Sequence, residues 1–177
     1  MPLLKYTLTV KIDVSGKIDF DLSCDVRPDA QWLPRFGYEF LLDGNNNSFT
    51  YYGKGPNDNY CDLSHGSYLG LYNSDSAKEY VKYVRPQEHG NHTQTKMLSI
   101  GKLKFIGDTP FEFAVSEYSI DAVYKATHTD ELVKDGKTHL RIDYKVSGIG
   151  SGSCGPELKK EYRLNEKHID FKFSIEI

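Results

Sequence analysis

Within five positions the chain places Glu88, His89 and His92, in the polar run Pro86-Gln87-Glu88-His89-Gly90-Asn91-His92. A carboxylate beside imidazoles can move protons or hold a metal, but no further ligand motif accompanies it. His128 and Asp130 lie near the end of a possible helix, where capping or packing suits them better than catalysis. The segment Gly148-Ile149-Gly150-Ser151-Gly152-Ser153-Cys154-Gly155-Pro156 has the glycine content of a phosphate loop. It lacks the GxxxxGK[ST] lysine and precedes a strand-like stretch instead of a helix. Its glycines let backbone pass close to another strand or a ligand. No GxSxG elbow occurs, and no Ser/His/Asp spacing is diagnostic of a hydrolase. Tyr 13 and Phe 9 make the chain rich in aromatic rings, which serve as core or as platforms for the C–H face of a sugar.

The elements that would hold these residues read as strands. Lys5 to Val14 alternates apolar and polar side chains, a half-buried strand, and Ile18 to Leu22 answers it across the turn Ser15-Gly16. Tyr38 to Leu42, Tyr80 to Val84, Lys96 to Phe105, Phe111 to Val115, Leu140 to Val146, Lys159 to Leu164 and Ile169 to Ile177 read likewise. Phe49 to Asp62 begins as an aromatic strand and breaks at Gly53, Gly55 and Pro56 into a loop carrying Asn57, Asp58 and Asn59. That loop is a plain connection or the rim of a polar pocket. Cys61 to Ala77 reads as a long surface excursion, Gly107-Asp108-Thr109-Pro110 as a turn between strands, and Asp43 to Asn47 as a turn cluster without EF-hand spacing. Ser119 to Leu132 is the one helical stretch, capped by Ser119 with Asp121 in its first turn. The expectation is an all-β antiparallel sandwich with one short helix.

Composition narrows the function. The 177 residues suffice for one domain, 1–177. A net charge of −3, from 22 basic and 25 acidic residues, gives no bulk attraction to nucleic acid or anionic membrane. No apolar run approaches the roughly 18 residues that a bilayer span requires. Cys24, Cys61 and Cys154 form no CxxC pair, and Met1 to Lys5 lacks a signal-peptide core. A reduced, cytoplasmic protein is expected.

Three loops in order carry a resemblance. Leu33-Pro34-Arg35-Phe36-Gly37, Tyr52-Gly53-Lys54-Gly55-Pro56-Asn57-Asp58-Asn59-Tyr60-Cys61-Asp62 and Tyr83-Val84-Arg85-Pro86-Gln87-Glu88-His89-Gly90-Asn91-His92 resemble the LPRxG, YGxGPxExYxD and YVxPQExGxR signatures. Those signatures mark the C-terminal small-chain domain of glycoside hydrolase family 2 β-galactosidases. Phe113 to Tyr118, His128 to Leu132 and the glycine-rich loop extend the likeness over almost the whole chain. Asp58, Cys61 and His92 stand where that family usually has Glu, Pro and Arg. Cys154 falls at or beside a tryptophan that lines the substrate site of the best-known member, and offers little stacking surface.

The resemblance implies a galactose mutarotase-like supersandwich, here a partial copy with an exposed sheet edge or apolar face that invites self-association. It implies that the catalytic glutamates, about 5 Å apart in a retaining enzyme, reside in a separate TIM-barrel domain. No Glu or Asp of this chain matches them, so no catalytic residue and no activity of the chain alone are expected. The partners implied are the barrel and other domains of a parent β-galactosidase and its galactosides, such as lactose. No cofactor or metal is implied in this chain, whereas the family often uses magnesium and sodium in other domains. The loop at Gly150, Ser151, Ser153 and Cys154 is the candidate rim of the substrate site. Tyr52, Asn59, Tyr60, Glu88, His92 and Trp32 are the sugar-binding candidates. Two alternatives stay open: a free carbohydrate-binding module using Tyr52, Tyr60 and Trp32, and a mutarotase-like epimerase using His92 and Glu88 as acid and base.

Overall fold

The computed structural model describes residues 2–44, 48–149 and 157–177. Among these, nine strands run in chain order: β1 (Leu4–Ile12), β2 (Ile18–Val26), β3 (Arg35–Asp43), β4 (Ser48–Gly55), β5 (Tyr68–Asp75), β6 (Asn91–Ile100), β7 (Leu103–Ser116), β8 (Lys137–Val146) and β9 (His168–Glu176). One helix, α1 (Ile120–Lys125), lies between β7 and β8. All pairings are antiparallel, in the order β1-β2-β9-β7-β6-β4-β5, with β8 on β7 and β3 on β8.

The two layers arise from β7. Its first part, Lys104 to Gly107, pairs with β9; its last part, Glu112 to Ser116, pairs with β8. Gly107 makes the switch possible, because a Cβ there would stand 2.3 Å from the Thr109 carbonyl oxygen. The expected turn at Gly107 to Pro110 is therefore a bend within one strand, and the reversal falls instead at Gly101, whose φ is +59°. This bend folds β3 and β8 over β2 and β9. Aromatic rings fill the space between: Tyr38 lies 5.4 Å from Phe173, and Phe40 lies 5.4 Å from Phe105. Full burial of a ring such as Phe105 or Phe173 contributes roughly 2 kcal/mol, and the partly buried Tyr38 and Phe40 contribute less.

Four further expectations differ. Cys61 to Ala77 is no plain excursion, since it contains β5, paired residue by residue with β4. Gly53 lies inside β4, opposite Gly70, and a Cβ at Gly53 would stand 2.5 Å from Thr95 Oγ1; the glycine serves close packing instead of a turn. Tyr80 to Val84 forms no ladder, and the Tyr80 ring packs edge-on against His89 and Tyr118. Lys159 to Leu164 holds a 3₁₀ turn at Lys160–Tyr162, and only Leu164 makes a bridge, to Leu33.

Ser119 caps α1 as expected, accepting from the Ala122 amide at 3.1 Å. The helix stops at Lys125, because the Thr127 amide and hydroxyl both donate to Glu131 and start a separate turn. β1 forms the expected hairpin with β2 around Gly16, φ +87°. Its alternation does not bury it. Tyr6, Leu8, Val10 and Ile12 are 64%, 39%, 46% and 71% exposed, and among the described residues only β2 pairs with it.

Candidate functional site

The three signature loops meet at one cluster, in which Tyr60 and Asp143 are buried and Arg35 and Glu88 partly so. Arg35 opens β3 and donates through Nη1 to Glu88 Oε2 at 3.1 Å and through Nη2 to Asp143 Oδ2 at 2.6 Å. Tyr60, fully buried, donates to the other oxygen of Glu88 at 3.2 Å. Thus the first loop supplies the cation, the third its carboxylate partner, and the second a phenol that completes it. Gly37 belongs to the same arrangement. A Cβ there would lie 2.3 Å from Asp143 Oδ1, so glycine lets the carboxylate approach the β3 backbone at a register shift in the β3–β8 ladder.

The second loop is tied down by Asn59. Its Nδ2 donates to the carbonyls of Lys54 and Asn57, both at 3.0 Å, and its Oδ1 accepts from the Thr93 amide and hydroxyl at 3.0 and 2.6 Å. Asp58 accepts from the Gly90 amide at 3.2 Å, joining the second and third loops. Asp62 accepts from the Ile149 amide at 3.0 Å, and a Cβ on Gly148 would stand 2.5 Å from its carboxyl carbon. The root of the glycine-rich loop is thereby fastened to the signature cluster. Gly150, Ser151, Ser153 and Cys154 lie outside the described residues.

Burial and charge set the chemistry of the cluster. Burial works against the Arg35 charge, but Asp143 and Glu88 outweigh it and hold the guanidinium protonated. Burial pushes the Asp143 carboxyl up and Arg35 pulls it back; the 2.6 Å contact keeps the pair ionic. Burial, reinforced by Glu88, raises the Tyr60 phenol well above its ordinary range. Glu112 on β7 accepts from Asn91 Nδ2 at 2.7 Å. Burial pushes its carboxyl up to about 8, against the pull of the Asn91 hydrogen bond and with some help from the Asp143 charge. At neutral pH Glu112 is therefore protonated.

Glu88, His89 and His92 do not converge. Glu88 serves Arg35 and Tyr60. His89 places Nδ1 2.7 Å from the Gln87 carbonyl oxygen. His92 is fully buried, with Nε2 2.8 Å from Glu79 Oε2, Nδ1 3.0 Å from the Tyr51 hydroxyl, and its ring stacked on Phe113 at 5.0 Å. Tyr52 is 42% exposed on β4, whereas Trp32 is half-buried under the Arg163 guanidinium at 5.9 Å. His128 is exposed beside Glu131. Among the described residues no group of three His, Cys, Asp or Glu side chains is placed to hold a metal.

Sequence reasoning missed Asp143, Glu112 and Glu79. Their signal was available in part: Glu112 stands between Phe111 and Phe113, and Asp143 between Ile142 and Tyr144. A lone carboxylate inside a strand covered on both faces needs a partner.

Fold and cluster together define an antiparallel β-sandwich domain whose buried charges fasten loops to one another. The family described as β-galactosidase small chain matches residues 1–177, and the chain belongs to that family. It is 37% identical to a β-galactosidase of Staphylococcus xylosus, over 98% of this chain and 18% of that protein. It is 35% identical to one of Actinobacillus pleuropneumoniae, over 98% of this chain and 17% of that protein. With the β-galactosidase of Kluyveromyces lactis it shares 37% identity, over 97% of this chain and 17% of the relative. The chain thus spans less than a fifth of the length of these relatives.

Proposed function

We propose that this chain is a non-catalytic domain of a β-galactosidase that hydrolyses terminal β-D-galactosides such as lactose. Its role is to support the assembly and to shape the rim of the active site. The observation that carries this reading is the match of the whole chain to less than a fifth of each relative, which leaves most of their length for the catalytic machinery.

The cluster geometry supports the second half of the role. Arg35, Glu88, Tyr60 and Asp62 fix three loops and the root of the Gly148–Pro156 segment in one frame. With the root at Gly148 and Ile149 held by Asp62, the role assigned to Gly150, Ser151, Ser153 and Cys154 is to border a substrate bound by another domain. The exposed apolar face of β1 supports contact with further polypeptide, in the parent or in a second copy. Magnesium, sodium and the catalytic glutamates then belong to other domains, and the protein works in the cytoplasm.

The test is deletion of the matching segment from a parent β-galactosidase. Lactose hydrolysis should fall to a small fraction of the intact enzyme; unchanged activity would remove the role.

A further inference from the structure

A cleft of about 400 Å³ opens between the 85–89 loop, the end of β7, the middle of β8, and α1. One wall is apolar. Ile120, Val123 and Tyr124 share a face of α1, yet no residue of that helix is buried; Ile120 is 40% and Tyr124 82% exposed. Such a face ordinarily packs on a core, and here it lines the cleft with Val115.

The opposite side is cationic. Arg85 and Arg141 both line the cleft. The Arg141 side chain is only 8% exposed, and its Nε has no hydrogen-bond partner among the described residues. It faces Glu88 Oε1 at 3.6 Å, beyond hydrogen-bond distance, and that oxygen already accepts from Tyr60. A buried guanidinium left so poorly matched is costly without a further acceptor.

The charge of the lining sets the charge of a ligand that would fit it. Of the Arg and Glu side chains that line the cleft, Arg85 and Arg141 stand against Glu88 alone. The group therefore carries one net positive charge. One anionic charge balances it; a dianion would be repelled by Glu88.

We propose that this cleft binds a small monocarboxylate with an apolar body. Its carboxylate lies on the Arg141 guanidinium, whose planar fork matches two oxygens. Its body lies against Val123 and Tyr124. The volume is that of a small-molecule site, and the proposal is independent of the galactosidase reading, since none of these contacts involves a sugar.

The test is calorimetric titration of the protein with 3-phenylpropionate and with its neutral amide. The acid should bind with a roughly millimolar Kd, and the amide at least about tenfold more weakly. Arg141→Gln should abolish acid binding. Tyr124→Ala and Arg85→Gln, both at exposed positions, should weaken it severalfold while circular dichroism stays native, and they carry the test if Arg141→Gln does not fold. Equal binding of acid and amide, binding that survives these substitutions, or no binding of the acid would each overturn the proposal. Capture of a glutamate-bearing peptide with no binding of the small acid would do so too, and would mark the cleft as a polypeptide contact.

Discussion

Replacing Glu112 with glutamine should make the protein more stable at neutral pH and hardly change it in mild acid. The folded carboxyl titrates at about 8 against an ordinary value of 4.5. A group raised in the folded state gives its full stability below the unfolded value and loses it as pH rises through the folded one. Between these limits the unfolded chain ionises while the native chain stays protonated. Each pH unit then costs a little over about 1 kcal/mol of stability. At pH 7 the accumulated loss is about 3 kcal/mol, at pH 5 it is under about 1 kcal/mol, and above pH 8 it levels off. Glutamine keeps the acceptor for Asn91 Nδ2, and its amide can donate to Asn91 Oδ1, which has no partner among the described residues. Urea unfolding of both proteins at pH 5, 6, 7 and 8 gives the difference directly. An advantage for Glu112→Gln that grows with pH supports a protonated, buried Glu112. A constant difference, or a variant less stable at pH 8 than the parent, would refute the reasoning.

Further substitutions probe the same cluster. Arg35→Met leaves Asp143, whose side chain is 3% exposed, without its hydrogen-bonded counter-charge; denaturant unfolding should show a loss of about 3–5 kcal/mol. Gly37→Ala forces a methyl group toward the Asp143 carboxylate and the Ile142 carbonyl, and the same assay should show a loss of about 1–3 kcal/mol. Asp62→Ala, in a parent β-galactosidase, releases the Ile149 amide and should lower kcat/KM for lactose while leaving the thermal midpoint nearly unchanged. A parallel fall of both would make Asp62 a stability residue only.

Strand alternation in the sequence was enough to place β1, β2, β8 and β9, because period two survives wherever one face differs from the other. It failed at β5, where Gly70 and Asn73 look like turn residues but fill positions opposite Gly53 and Thr50. The burial of β1 was illegible for another reason: alternation reports an apolar face, not what covers it. The signature loops were visible as an ordered set, and the structure brings Arg35, Tyr60 and Glu88 from all three together. Their common partner Asp143 lies 108 positions from Arg35 and reaches it only through the β3–β8 register. The nearness of Glu88 to His92 in sequence misled, because the ring enters β6 and turns to Glu79 and Tyr51 while Glu88 stays with Arg35.

The account stands most directly on where galactoside cleavage occurs. Hydrolysis of a chromogenic β-galactoside should be measured for the purified 177-residue chain, alone and mixed with polypeptide supplying the rest of a β-galactosidase. The prediction is no turnover alone and turnover on mixing. Cleavage by the chain alone, with contaminating enzyme excluded, would contradict it.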